Sequence, residues 1–312
     1  MKIALEKVKA VVLGHAVADA LGVPVEFASR EALDKNPATG MKGFGTYPVP
    51  AGSWSDDTTM ALCALDAFTE KGFDLDRVME NFGRWFYEGE YTPTGVCFDV
   101  GGCCASAIRN YCKGGLDTDA CGLGAEKDNG NGSLMRIHPF VLLSDREKPL
   151  SERLTEIDRA SALTHAHPRS LIGCRIYAVI LWALLETPDK EAVLSALRRC
   201  AALFGGESEF SAYRRLFLPD FAALPRSAIR SSGYVVDTLE AALWCLLTTD
   251  TYRDCVLRAV NLGSDTDTVA AVAGGLAGAL YGYDAIPAAW REALLRREWI
   301  ETLCEIAVAL AV

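Results

Sequence analysis

The sequence predicts an all-α fold, a compact single-domain multi-helix bundle over residues 1–312. Three observations carry this expectation. Apolar residues recur at helical spacing along most of the chain, strand-like alternation is scarce, and no stretch is rich enough in Pro, Gly or Ser to link two domains. A chain of 312 residues is long enough to bury a substantial core as one unit.

The elements follow in order. "ALEKVKAVVLGHAVADALG" (4–22) reads as the first helix, stopped by Gly22 and Pro24. "DDTTMALCALDAFTEKG" (56–72) reads as the second, with Gly72 at its end, and "DLDRVMENFGRWFYEGE" (74–90) as the third. Helical patterns recur around 99–112, 151–164, 169–186, 189–204, 235–248, 250–261, 266–282 and 287–311. Residues 205–233 are the least regular part and read as an ordered insertion with short helices. No short-period repeat stands out.

Composition narrows the class. Hydrophobic residues make up 50% and charged residues 23%, an ordinary globular balance. The formal charge of −10 lacks the footprint of a general nucleic-acid binder, though a pocket for one nucleotide stays open. The 11 cysteines form no CxxC pair, which disfavours a structural zinc site and suits free thiols in a reducing cytoplasm. The first residues carry Glu and Lys with no small-residue cleavage site, so no signal peptide is expected. The C-terminal apolar runs are broken by charge and proline, so no membrane segment is expected there.

The chemistry concentrates in two acidic clusters. "GSWSDDTTM" (52–60) sets Asp56 and Asp57 side by side before an apolar run, and "GSDTDTVAAVAGGLAGALYG" (263–282) places Asp265 and Asp267 at another helix start. Either cluster alone is explained by capping, since a helix N-terminus welcomes Asp. Together they hold more carboxylates than two helix ends need. Four gathered carboxylates without a counter-charge would have strongly raised pKa values. A hard divalent cation, Mg²⁺, Mn²⁺ or Ca²⁺, removes that cost with oxygen ligands, and the lack of Cys and His in the clusters disfavours zinc.

At this point the chain resembles the ADP-ribosylglycohydrolases, the family of the dinitrogenase-reductase-activating glycohydrolase and the crystallin J1 relatives. Six motifs in order carry the resemblance over nearly the whole chain: "GHAVADALGVPVEF" (14–27), "GSWSDDTTM", "NGNGSLMRIHP" (129–139), "THAHP" (164–168), "SGYVVDTLEAALW" (232–244) and "GSDTDTVAAVAGGLAGALYG". The resemblance implies an all-α fold with two Mg²⁺ or Mn²⁺ ions at the floor of a cleft. The matching ligands are Ser55, Asp56, Asp57, Asp265, Asp267 and Thr268. Ser55 stands where the family often has Thr, and both offer a hydroxyl. Ala18 precedes Asp19 where the family usually has Gly, a departure that touches no expected ligand.

Further residues gain roles from the resemblance. Glu26, otherwise a surface acid after a turn, becomes a candidate for water positioning, gating or acid–base work. Asp99, before a Gly pair, is either a helix N-cap or a substrate contact, and Glu26, Asp57 and Asp99 are the candidate catalytic carboxylates. Asn131, Gly132 and Ser133 lie in a turn-rich loop whose N–H groups suit a diphosphate. His165 and His167 read as cleft-lining or helix-capping residues, with His165 the one expected to reach substrate. Tyr234 is a candidate for stacking beside the nucleotide.

The implied reaction is metal-dependent hydrolysis at the anomeric carbon of an ADP-ribosyl group, on a modified protein or a small molecule. The leaving group stays open, and the expected working form is a monomer. Two rivals remain: a binuclear-metal phosphohydrolase acting on a nucleotide or sugar phosphate, and a non-catalytic ADP-ribose binder.

Overall fold

A computed structural model describes residues 3–311. The helices are α1 (Leu5–Gly22), α2 (Arg30–Lys35), α3 (Asp56–Asp66), α4 (Leu75–Glu88), α5 (Gly102–Cys112), α6 (Thr118–Cys121), α7 (His138–Leu142) and α8 (Leu150–Ala162). They continue as α9 (Pro168–Glu186), α10 (Lys190–Phe204), α11 (Val235–Leu247), α12 (Tyr252–Val260), α13 (Thr266–Tyr281), α14 (Ala288–Ala293) and α15 (Arg297–Leu310). One apolar core runs through them, from Val8 and Leu13 on α1 to Ile300 and Cys304 on α15. The fold is the expected all-α bundle.

Two long, apolar helices sit at its centre. α1 and α9 are each apolar and long enough to cross a bilayer by length and composition, and both are largely buried inside the bundle. The seam that positions the site lies between α1 and α13. These helices run antiparallel with backbones in contact, because the sequence puts glycine where they meet. A Cβ on Gly278 would lie 2.0 Å from Ala10 O, and one on Gly22 would lie 2.3 Å from Asp267 Cα. Thr266 Oγ1 also donates to Gly22 O at 2.8 Å. The C-terminal end of α1 is thereby fastened to the first turn of α13.

Two helices expected as continuous are not. The stretch 56–72 stops being helical at Asp66, and Phe68–Thr69 (β1) pairs antiparallel with Gly72–Phe73 (β2). The Phe68 and Phe73 rings pack at 4.9 Å, and Gly72 takes φ +102°, which closes the hairpin. The stretch 287–311 breaks between α14 and α15, where Arg296 adopts φ +50°. Tertiary bonds override the local preference there: Leu295 N donates to Gly52 O at 3.1 Å and Arg296 Nη1 to Thr92 O at 2.7 Å. Residues 205–233 form short 3₁₀ turns, as an ordered insertion should.

The seam gives a stability prediction. Gly278→Ala should cost about 2–3 kcal/mol, because backbone blocks the added methyl. Gly206→Ala, where a Cβ meets nothing within 4 Å, should stay within about 0.5 kcal/mol of wild type. Urea titration of both variants checks this, and equal costs would mean the seam can open to admit a side chain.

Candidate metal-binding and active site

The site forms where the C-terminal end of α1 meets the first turns of α3 and α13. Its foundation is Asp19, which the sequence reading did not include. The wholly buried Asp19 carboxylate accepts from Ser55 N at 2.9 Å and Ser55 Oγ at 3.0 Å through Oδ1. Through Oδ2 it accepts from Thr58 N at 3.0 Å and Thr58 Oγ1 at 2.6 Å. Asp19 thus caps α3 from a neighbouring helix. Burial raises its pKa to about 6 against these donors, which pull it down.

Because Asp19 and Ser55 satisfy the end of α3, Asp56 and Asp57 are left free of capping duty. Asp57 Oδ2 lies 2.9 Å from Ser55 Oγ, whose one proton it shares with Asp19, and accepts from Thr268 Oγ1 at 3.2 Å, so α3 and α13 are joined at this carboxylate. Its other oxygen, Oδ1, is buried with no hydrogen-bond partner among the described residues. The same asymmetry occurs on α13. Asp267 Oδ1 accepts from Thr268 N at 2.9 Å, while Oδ2 is buried and unpartnered. Asp265, at the N-cap position, makes no side-chain cap; its Oδ2 accepts from Asn131 Nδ2 at 2.7 Å.

Ligand atoms of Asp19, Asp57 and Asp267 lie within 4.8 Å of one another, as do those of Glu26, Asp99 and Asp267. Asp267 belongs to both groups. Burial, then neighbouring negative charge, pushes the carboxyls of Asp56, Asp57 and Asp267 well above their ordinary range. For Asp56 the largest of those charges is Asp99, for Asp57 it is Asp19, and for Asp267 it is Asp57. Glu26 is pushed up to about 9, first by burial and then by Asp99, and its Oε2 has no partner. Three buried, unpartnered carboxylate oxygens facing a common acidic centre are the pattern expected where a hard cation belongs. The all-oxygen donor set suits Mg²⁺, Mn²⁺ or Ca²⁺ and gives zinc no soft ligand.

Two loops frame the mouth. Glu26 is pinned because Phe27 N donates to Ser264 O at 2.7 Å and Thr46 Oγ1 donates to Glu26 O at 2.7 Å. Phe27, Phe44, Asp99 and Ser264 all take left-handed backbone conformations on these loops. Asp99 is not a helix N-cap: α5 starts at Gly102 with Gly101 as its cap, and Asp99, at φ +52°, lies against Glu26 and Tyr47. The rim carries exposed apolar side chains, Phe27 at 69% and Phe44 at 75%.

The remaining candidates line the wall. Asn131 bridges Asp265 and Thr238 Oγ1, the latter at 2.9 Å. A Cβ on Gly132 would lie 2.9 Å from His165 Cε1, so turn and imidazole are in contact. Ser133 is wholly buried, and its hydroxyl lies 2.8 Å from Ser161 Oγ and 3.5 Å from Cys174 Sγ, turned into the core. His165 is buried beside this turn, with its pKa lowered to about 3 by burial and by the charge of Arg136. His167 caps α9, accepting from Arg169 N at 3.2 Å. Half-buried Tyr234 accepts at its hydroxyl from Arg169 Nη1 at 3.0 Å. Glu126, His167 and Glu209 also cluster here, but Arg169 pairs with both glutamates at 2.7 Å and neutralises them. A separate cavity of about 470 Å³ opens beyond the far end of α3, between Phe68, Phe73, Phe140 and Leu310, and none of the candidate residues lines it.

Comparison with known proteins agrees with this architecture. An ADP-ribosylglycohydrolase family model matches residues 1–312. The chain is 35% identical over 307 residues to the ADP-ribosylarginine hydrolase Tri1 of Serratia proteamaculans, covering 96% of this chain and 78% of that protein. It is 31% identical over 281 residues to the ADP-ribosyl-[dinitrogen reductase] glycohydrolase of Rhodospirillum rubrum, covering 89% of this chain and 86% of that one. A solved structure titled an ADP-ribosylglycohydrolase-related protein complex superposes with a TM-score of 0.82 at 34% identity, covering 99% of both chains.

Two predictions follow from the site's electrostatics. Asp19→Asn replaces an acceptor of four hydrogen bonds with an amide that presents a donor to the same groups. It should cost about 2–3 kcal/mol in stability and weaken Mg²⁺ binding at least about tenfold, read by urea titration and calorimetry. Unchanged values would mean that Asp19 does not hold the acidic loop. The second concerns pH. Glu26 binds its proton more tightly folded than unfolded between the ordinary 4.5 and about 9, so the cation-free fold loses stability as pH rises through that window. The melting temperature in EDTA should fall across this range; a flat profile in EDTA would refute it.

Proposed function

The chain belongs to the ADP-ribosylglycohydrolase family and hydrolyses the glycosidic bond at the anomeric carbon of an ADP-ribosyl group, and we propose that it does so with two divalent cations, Mg²⁺ or Mn²⁺. One observation carries the metal reading: Asp57 Oδ1 and Asp267 Oδ2 are buried without partners where α1, α3 and α13 converge. Ser55, Asp56, Asp57, Asp265, Asp267 and Thr268 would hold the cations, and Asp19 would hold Ser55 and Thr58 in place beneath them. When bound, the cations supply Lewis-acid charge that fixes the distal ribose hydroxyls and a water.

The chain's own residues do the rest. Glu26, whose carboxyl holds its proton tightly in the cation-free protein because of burial and Asp99, is the group to give a proton to the departing nitrogen or oxygen. Asp99 stands beside it to take the proton of the attacking water. Asn131 holds Asp265 still, its own N–H donates to Gly233 O, and the backbone N–H groups of Gly132 and Ser133 would be the ones offered to the diphosphate. The developing oxocarbenium carbon forms within a carboxylate-rich wall that favours positive charge.

We further propose arginine as the leaving group, on a protein. The relative from Serratia proteamaculans is an ADP-ribosylarginine hydrolase. Phe27 and Phe44 offer apolar contact to the polypeptide around the modified side chain. The working unit is taken to be one copy of the whole chain in a reducing cytoplasm, and eleven free thiols support that compartment.

A panel of ADP-ribosylated arginine, ADP-ribosylated serine and O-acetyl-ADP-ribose tests the substrate. The arginine conjugate should release ADP-ribose fastest. Release of AMP or phosphate would instead establish a phosphohydrolase, and no turnover at all a binder. Asp56→Ala or Asp265→Ala should abolish Mg²⁺ binding with the helical fold retained, measured by calorimetry beside circular dichroism. Ca²⁺ should raise the melting temperature yet support far less turnover than Mg²⁺ or Mn²⁺, because its bonds are longer and its ligands more numerous. Turnover tracking stability alike for all three ions would make them purely structural.

A further inference from the structure

Arg136 is a wholly buried side chain with no ion pair among the described residues. Its Nη1 donates to Ala160 O at 3.1 Å and its Nη2 to Thr164 Oγ1 at 2.7 Å. The guanidinium lies over the Phe82 ring, 5.0 Å from the centroid. Such a cation keeps its charge and is costly to bury, so its contacts merit a functional reading.

Those contacts lead to the site. Thr164 Oγ1 lies 2.8 Å from His165 Nδ1. An arginine offers only donors, so the Thr164 oxygen is the acceptor of the first bond. A hydroxyl polarised by a charged donor gives its own proton more readily, and Nδ1 is the acceptor beside it. With the proton on Nδ1 instead, the same oxygen would face two donors. Its own hydrogen would then be left with the Cys104 thiol, a weak acceptor. An imidazolium is disfavoured as well, since burial and the Arg136 charge both oppose it.

We propose that Arg136 is a positioning residue that acts through Thr164 to hold His165 as a neutral imidazole with its proton on Nε2, donating to an oxygen of the ADP-ribosyl diphosphate. The Nε2 edge lies against the substrate turn: a Cβ would sit 3.4 Å from it at Gly130 and 3.5 Å at Gly132. Absence of side chains there leaves the N–H open to a ligand seated on that turn. The donor stays neutral, so its strength is unchanged across the physiological pH range.

This inference rests on the reading of the cleft as an ADP-ribose site, and its test separates the two. The protein has four histidines, so selective ¹⁵N-imidazole labelling gives a readable spectrum, with His165 assigned by its loss in His165→Gln. Without ligand at neutral pH, His165 should carry its proton on Nε2; a proton on Nδ1, or on both nitrogens, overturns the proposal whatever any variant does. Thr164→Val removes the donating hydroxyl at nearly constant shape and should shift His165 toward the Nδ1–H form. It should also weaken ADP-ribose binding about tenfold, the effect of one lost hydrogen bond, whereas Thr164→Ser should restore both. A lowered melting temperature in Thr164→Val with tautomer and affinity unchanged would make the chain merely structural and overturn the proposal. A wild-type Nε2–H tautomer without ADP-ribose binding would leave the Arg136 relay standing and overturn the ligand reading alone.

Discussion

The contact on which the site depends is the glycine-lined seam between α1 and α13. With Gly22 set against Asp267 and Gly278 against Ala10, the two helices lie closer than side chains would allow. That approach carries Asp19, near the end of α1, to within ligand distance of Asp267 on the first turn of α13. It also brings Asp19 to the start of α3, where its four accepted hydrogen bonds fix Ser55 and Thr58. Separated helices would let the carboxylates move apart and relieve their repulsion. Backbone in contact with backbone leaves them little freedom to do so.

The carboxylates divide by what their oxygens already hold. Asp19 is saturated by donors and is a framework group. Asp57 and Asp267 each spend one oxygen on the framework and keep the other unpartnered, as Glu26 keeps Oε2. Such half-satisfaction is unfavourable for a closed polar network, because a buried acceptor without a donor forfeits its hydration. It is favourable for a group that must meet a ligand. The raised proton affinities record the same cost in another form: without a cation, protons are what lowers the charge.

Much of this was legible in the sequence. Helical periodicity located the main helices, and the two acidic clusters, each with more carboxylates than a helix end uses, pointed to the candidate site where the fold brings them together. What stayed hidden depended on contacts between distant segments. Asp19 reads as one more residue in a helix, and its capping of α3 across 36 positions has no local signature. The end of α3 at Asp66 and the break before Arg296 follow from a packed ring pair and from bonds to Gly52 and Thr92, which override a helical pattern. Ser133 is a candidate through its backbone N–H, and its buried hydroxyl, which packs against Ser161 and Cys174, has no signature in the local sequence. Arg136 gave no sign of its role, since the partners that define it are 24 and 28 residues away.

Strain and rigidity are distributed unequally across the site. Four of the candidate ligands, Asp56, Asp57, Asp267 and Thr268, sit on the first turns of α3 and α13, and Ser55 and Asp265 are the non-helical cap residues just before them. The left-handed non-glycine residues Phe27, Phe44, Asp99 and Ser264 fall instead on the loops around Glu26. Each such conformation costs on the order of 1–3 kcal/mol and persists only where its surroundings impose it. The bonds from Phe27 N to Ser264 O and from Phe44 N to Val49 O supply that imposition. A cation site gains from rigid helical ligands, because its geometry is the same in every turnover. An acid that must reach a departing group gains from a loop, where small backbone changes move a carboxyl without disturbing the core. On the proposed reading, charge fixation would fall to the helices and proton delivery to the strained mouth. The fold places Asp267, which belongs to both carboxylate groups, at the junction between them.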